Sequence, residues 1–352
     1  MRLKFNNINI SLMKKYILIA AVASVALAAC TKNEVKPVEV DQEITYQTID
    51  TKAASSFSTS NAFYSWAYLL ASDKTWNTDY ANASSYITNS KIEYETNAWK
   101  NKTTPHYWPK KAKLTFFAWS DNTNNPSVTS PATVSCDNES GIVFDNYSAF
   151  DHKNKDLLVA KIAANQIISN TTSHDGWNNG VPTVFYHVLS ALEIKALTNM
   201  STSDYTFKVK SVAFTGVLSK GKYVQGHTST ATPIVSSWTG VADAQGYDVY
   251  APSGLSEALS ATEKQLKATN GEYTIFMPQT LPDDAKVTIV YQVTYGTTGI
   301  TDEVSVEKNL KDIFTEWKPG YKYTLKITIG LDEILWDPDI QAWETGTGNV
   351  TI

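Results

Sequence analysis

Cysteine is scarce in this chain. There are two among 352 residues, and beyond Cys30 the only thiol is Cys136. One thiol cannot form an internal disulfide, so the fold is expected to be held by its core, with Cys136 serving as a small buried apolar residue. Arginine is rarer still, since Arg2 is the only one. No apolar run approaches the roughly 20 residues that a membrane-spanning helix needs. The five histidines (106, 152, 174, 187 and 227) are scattered, with no H-E-x-x-H and no pair at metal-ligand spacing. G-x-S-x-G, P-loop and G-x-G-x-x-G motifs are missing as well, so neither catalytic residues nor a cofactor are expected. His187 falls in a strand-like stretch, where packing or hydrogen bonding explains it better than catalysis. A basic footprint is lacking too. Residues 1–30 hold four cationic side chains (Arg2, Lys4, Lys14, Lys15) and no acidic one, which leaves 30 − 4 = 26 against 35 Asp and Glu, a formal charge of −9. Such a surface repels nucleic acid and anionic lipid.

The N-terminus carries a clear signal. Lys14-Lys15 precede the apolar stretch Tyr16 to Leu27, and small residues then lead into Cys30 as Leu27-Ala28-Ala29-Cys30. The order of cationic region, short apolar region and small-residue cut site is that of a signal peptide, and the tetrapeptide matches a bacterial lipobox. Cys30 is therefore the expected lipidation site, with two or three acyl chains, each CH₂ contributing about 0.8 kcal/mol, holding the protein to the outer membrane. A buried strand or helix ending in Cys by chance is the plainer alternative. Residues 1–12 read as an upstream misread start, because Met13-Lys14-Lys15 already begins such a signal.

What remains is rich in strand formers: 19 Tyr, 12 Phe and 10 Trp, with much Thr, Ser and Asn. Residues 31–37 read as a tether. Val38, Val40, Ile44 and Tyr46 then alternate with Glu39, Asp41, Glu43 and Thr45, as in a strand with one buried face. Further strands are expected at Phe63–Leu70, 86–94, Lys113–Trp119, 142–145 and Asp156–Ala160. The longest alternations are Lys286–Tyr295 and Tyr321–Ile329. Short helices are expected at 254–266 and 308–315, and the loop-like stretch 165–180 marks a boundary. The reading is all-β and mainly antiparallel, with a signal over 1–30, a tether and removable strand over 31–52, and β-sandwiches over 53–180 and 181–352.

Several stretches together resemble the fimbrillins, the pilus subunits of Bacteroidetes. Tyr107-Trp108-Pro109 with Leu114-Thr115-Phe116-Phe117-Ala118-Trp119-Ser120 resembles their "WP … LTFFAYSP" signature, and Asp156 to Ala160 their "DLLVA" strand. Val184 to Leu192 is similar to the strand opening their second domain. Trp317-Lys318-Pro319-Gly320-Tyr321-Lys322-Tyr323 resembles "W-x-P-G-x-x-Y", and Ile340 to Trp343 the closing "I-x-x-W". The resemblance implies two transthyretin-like sandwiches in tandem, a lipoprotein exported to the cell surface, and assembly into a pilus. In that family a protease removes the N-terminal strand and a strand of the next subunit fills the groove. Cleavage there often follows Arg, and none exists beyond Arg2, so Lys52-Ala53 is the candidate cut. The other option is a subunit that is never cut and stays anchored.

Two roles follow. The first is a pilus subunit that assembles with other subunits by strand exchange. Val38, Val40, Ile44 and Tyr46 form its plug, and the tail from Trp343 to Ile352, where Val350 and Ile352 alternate, is the candidate donor. The weak alternation of that tail leans towards a tip or accessory position. The second is a surface lipoprotein that grips glycan or host protein through Trp76, Trp99, Trp177 and Trp238, although core packing is the better explanation of those residues. Asp332, Glu333, Asp337 and Asp339 form the densest carboxylate cluster and read as a solvated strand end, with a calcium site as the weaker option because EF-hand spacing is missing. Replacing Cys30 with Ser is expected to abolish incorporation of a fatty-acid analogue in growing cells. Label retained in the variant would overturn the lipobox reading.

Overall fold

The computed structural model describes residues 41–49, 57–152, 155–168, 180–235, 237–267, 273–331 and 333–343. In the N-terminal half the strands are β1 (Tyr46–Ile49), β2 (Ala62–Ala71), β3 (Ser84–Glu95), β4 (Ala98–Lys100), β5 (Ala112–Ser120), β6 (Thr133–Asp137), β7 (Gly141–Ser148), β8 (Leu158–Ala160), β9 (Ala163–Gln166) and β10 (Val181–His187). The rest are β11 (Ser190–Leu197), β12 (Tyr205–Val224), β13 (Ser237–Tyr250), β14 (Lys264–Leu266), β15 (Thr274–Phe276), β16 (Gln279–Thr280), β17 (Lys286–Tyr295), β18 (Ile300–Asn309), β19 (Glu316–Trp317), β20 (Tyr321–Ile329) and β21 (Ile334–Ala342). The protein is all-β, as expected. Most pairings are antiparallel, while β1 with β10 and β11 with β20 run parallel.

The first sheet closes on itself. β2 pairs with β3, β3 with β4, β4 with β1, β1 with β10, β10 with β8, β8 with β5, and β5 returns to β2. The β3–β4 hairpin is turned by Thr96 and Asn97, both at positive φ (50° and 64°), the geometry that matches the twist of the flanking strands. Inside the ring lie Phe63, Ile92, Trp99, Tyr46, Phe185 and Phe116. Outside it, Trp66, Tyr68, Phe117 and Trp119 face a second layer containing Phe144, Tyr147 and Tyr223. β2 and β5 are thus buried on both faces, which is why they read as nearly unbroken apolar runs and not as alternations.

β12 ties this layer to the second sandwich. Its first part pairs with β17, from Tyr205↔Tyr295 to Thr215↔Lys286, and its last part with β7, from Lys220↔Ser148 to Val224↔Val143. Along its other edge β13 runs from Val212↔Tyr250 to Val224↔Ser237. Between the two parts Gly216 has φ +71°, and the ladder to β13 shifts register between Phe214 and Val217. The second core lies between the sheet β14-β11-β20-β21 and the sheet β18-β17-β12. Phe207, Val209, Phe214, Ile289, Tyr291, Leu325 and Ile327 fill it. The inward rows of β17 and β20 are those expected from the alternation.

Several expectations change. The N-terminal strand starts at Tyr46 and runs to Ile49, later than the alternation over 38–46 suggested, while Val38 and Val40 lie outside the described residues. Residues 254–266 are not helical. The backbone N–H groups of Ser256 and Leu259 donate to the carbonyls of Val209 (2.8 Å) and Phe207 (2.9 Å), so the segment runs along the edge of β12 before β14. Over 308–315 there is one 3-10 turn, Leu310–Asp312, after the end of β18. Leu310 and Phe314 are buried at the i, i+4 spacing that imitated a helix. The expected boundary at 180 falls just before β10, which pairs into the ring. Cys136 is half-buried in β6, and burial pushes its thiol pKa up.

Gly216 has no conformational substitute. A Cβ there would meet Cα of Ala285 at 3.1 Å in a left-handed backbone. Gly216→Ala is expected to destabilise the protein by about 1–3 kcal/mol, read as a lower urea midpoint at unchanged slope.

Candidate assembly site at the closing strand

β1 is the short element that completes the ring. Towards β10 its pairing covers four residues, Tyr46↔Val181 to Ile49↔Val184, but towards β4 the ladder has the single pair Tyr46↔Trp99. Just before it, the Ile44 N–H donates to the His106 carbonyl (2.7 Å), and Glu43 bridges to Tyr107. The Val181 N–H donates to the Thr45 carbonyl (2.8 Å). Gly180 sits so close that a Cβ would lie 2.7 Å from the Tyr46 carbonyl carbon. A side chain there would force the two backbones apart.

The inward residues carry the packing. Ile44 and Tyr46 are 2% and 4% exposed. The Tyr46 ring meets Phe63 (5.5 Å) and Phe116 (5.7 Å) edge-on. Each such side chain contributes about 1.5–3 kcal/mol by burial. Burial also pushes the Tyr46 phenol well above its ordinary pKa. The nearby Ser65 hydroxyl is engaged with the Phe117 carbonyl (3.2 Å), and the Tyr46 hydroxyl has no hydrogen bond among the described residues. Asp41 is exposed and Glu43 half-buried, 3.8 Å from Lys100, a surface pair of small energetic weight. The His106 ring lies 3.1 Å from the Ser90 hydroxyl, and burial lowers its pKa.

Phe57, which no local pattern singled out, covers this cluster. It stacks on Phe185 (4.9 Å) and touches Trp99 (5.3 Å) and Phe63 (6.0 Å). Residues 50–56, with the candidate cut at Lys52-Ala53, lie outside the described residues, as do Cys30, Val350 and Ile352.

Trp343 marks the base of the candidate donor tail. Its backbone N–H donates to the Gly320 carbonyl (2.7 Å), its ring stacks on His187 (3.9 Å, 9° between planes), and Tyr273 meets it edge-on (5.3 Å). Nδ1 of His187 is 2.6 Å from Oδ2 of the buried Asp156, whose Oδ1 has no hydrogen bond among the described residues. The residues of this cluster come from β10, the segments before β8 and β15, and the residue after β21. Asp156 and His187 both fall in stretches quoted for the family resemblance, but nothing in their spacing joins them.

Three of the four tryptophans weighed as an aromatic platform pack into the cores, which was the favoured reading. Trp76 is fully buried and donates its indole N–H to the His227 carbonyl (2.7 Å), while Trp99 is 5% exposed inside the ring. Trp238 is partly buried, with its N–H on the Val188 carbonyl (2.6 Å), and Trp177 lies outside the described residues. In the acidic cluster, Glu333, Asp337 and Asp339 are exposed and Asp337 lies 3.7 Å from Lys326. Among the described residues no three His, Cys, Asp or Glu side chains gather to hold a metal.

A closed ring packed on a second layer, continuous with a second sandwich through one long strand, defines a tandem β-sandwich protein. The sequence profile of the fimbrillin-like family matches residues 51–343, and the chain belongs to that family. Membership of that family makes it a fimbrial structural protein of the cell surface and not an enzyme. A fimbrial protein from Bacteroides vulgatus ATCC 8482 is similar in structure, with a TM-score of 0.62 and 20% identity over 86% of this chain and 99% of the other. A candidate cell adhesion protein from Bacteroides uniformis ATCC 8492 aligns at a TM-score of 0.48 and 15% identity, over 88% and 100% of the two chains. The first likeness shows a shared fold. No curated protein matches the chain.

Tyr46→Ala is expected to lower stability by about 3–5 kcal/mol, in the range of large aromatic truncations. Tyr46→Phe should stay within about 1 kcal/mol, because the hydroxyl it removes makes no hydrogen bond among the described residues. Chemical denaturation of both variants checks the pair.

Proposed function

We propose that this chain is a subunit of a surface pilus, exported as an outer-membrane lipoprotein through Cys30 and joined to other subunits by strand exchange. The observation that carries this reading is the place of β1. It is short, it comes from the N-terminal end of the described chain, and it sits between two strands that would otherwise both be edges. Cutting at Lys52-Ala53 would remove the covalent tie of β1 to the rest of the chain, and its departure would take Ile44 and Tyr46 out of the ring and leave the main chain of β4 and β10 unpaired there. Main-chain ladders tolerate changes of sequence, so an incoming strand with matching alternation can take that place. The tail beyond Trp343 is the candidate donor, with Val350 and Ile352 as its apolar residues. Its weak alternation favours a tip or accessory position, where the subunit would also contribute to adhesion. The rival reading, a surface lipoprotein gripping glycan or host protein through loop aromatics, loses Trp76 and Trp99 to the interior.

The test is cleavage or deletion of residues 31–52 in purified protein, followed by light scattering. Assembly into larger species, or a fall in melting temperature that added strand peptide restores, is expected. A truncated chain that remains a monomer with an unchanged melting temperature would show that β1 is not a plug.

A further inference from the structure

We infer that β18 is a self-association edge, and that it takes the β18 of a second copy of this chain, antiparallel about a two-fold axis through Ser305. This surface belongs to the second sandwich and does not depend on strand exchange. β18 pairs with β17 from Lys286↔Asn309 to Tyr295↔Ile300 without a shift in register, and among the described residues nothing pairs along its other side. A long, regular row of unpaired N–H and C=O groups is a template for another strand. The other sheet edges are blunted. β6, β9 and β14 have five, four and three residues. The ladder of β13 shifts register three times, and β21 carries Pro338 at its centre, where a main-chain donor is missing. β18 has no proline, no glycine and no bulge.

The side chains decide which strand fits. Residues directly opposite in an antiparallel pair share a face. Val304 and Val306 stand opposite the buried Tyr291 and Ile289, so they belong to the core-facing row and pack half-buried against the core. The same row holds Asp302 opposite Val293 and Lys308 opposite Val287. Charges on that row keep foreign strands off an edge, because an added strand would leave them unpaired. Asp302 and Lys308 have no ion-pair partner among the described residues. Along a strand they stand roughly 20 Å apart, so they cannot meet within one chain. Turned about an axis through Ser305, a second β18 lays its Lys308 opposite Asp302, its Asp302 opposite Lys308, and its Val306 opposite Val304. Moving the axis by one residue either way sets Asp302 against Val306 or Leu310 and loses both charge pairs. On the outer face Glu303 meets Glu307 of the copy, and each is already held by a lysine, Lys210 and Lys286, at 2.6 Å. The opposing sheet is open on the same side. The Tyr291 hydroxyl donates to the Gly330 carbonyl (3.2 Å) in the turn before β21, which places β21 on the β18 side. Ile340 of β21 is 54% exposed there, although its ladder partner Tyr323 is buried.

The experiment uses the full chain carrying Cys30→Ser, left uncut between β1 and β2 so that the ring stays closed, and follows sedimentation velocity over a range of concentrations. A monomer–dimer equilibrium is expected. Lys308→Asp or Asp302→Lys sets like charges opposite each other and should weaken the dimer about tenfold or more. The double variant, Asp302→Lys with Lys308→Asp, remakes both pairs and should recover the dimer, which a merely misfolded single variant would not explain. For the register, Cys136→Ser is added and one cysteine is placed at Ser305 or at Thr301. Under mild oxidation Ser305→Cys should give a disulfide-linked dimer, while Thr301→Cys, which faces Asn309 of the copy, should stay unlinked. A chain that stays monomeric throughout, a dimer indifferent to the single reversals, or a double variant that fails to recover would overturn the self-association edge. Equal cross-linking through Thr301→Cys would overturn the axis at Ser305.

Discussion

The N-terminal sandwich depends on a ring that four residues complete. A sheet closed on itself has no edge, and each strand is held from two sides. β1 gives that closure to β4 and β10 through one pair on one side and four on the other. What keeps it in place is the burial of Ile44 and Tyr46 more than its few main-chain bonds. An element fastened by buried side chains needs only a short ladder to complete the ring.

The remaining aromatic content follows from the layer around that ring. β2 and β5 need large side chains on both faces, since one face fills the ring and the other packs against Phe144, Tyr147 and Tyr223. Trp119 meets Phe144 edge-on at 5.2 Å, and Trp66, Tyr68 and Phe117 complete the same layer. Tryptophans that looked available for ligands in loop-like sequence are anchors instead. They spend their N–H on backbone carbonyls, at His227 for Trp76 and Val188 for Trp238, a pairing that buried indoles favour.

Legibility in the sequence tracked the periodicity of burial. β17 and β20 have one face on the core, and their bounds coincide with the alternations over Lys286–Tyr295 and Tyr321–Ile329. β12 escaped notice because its inward row slips by one residue between Val209 and Val212 and again between Phe214 and Val217, where its ladders to β17 and β13 shift register, which breaks the period of two. Leu310 and Phe314 stood at helical spacing but belong to a single turn after a strand. At the candidate site, Ile44 and Tyr46 were legible as inward residues. Phe57 was not, since its role arises from Trp99 and Phe185, far away in sequence. The Asp156–His187–Trp343 contact joins three distant points and has no local signature.

The continuity of β12 bears on mechanics. Tandem domains joined by a flexible linker stretch first in the linker, and each then unravels on its own. Here the twenty residues Tyr205–Val224 belong to both sandwiches. They are flanked on one edge by β13 and on the other by β17 and then β7. A pull along this strand is carried by covalent backbone and by hydrogen-bond ladders loaded in shear, where many bonds must give together. Tension between the two sandwiches therefore meets stiffness before extension.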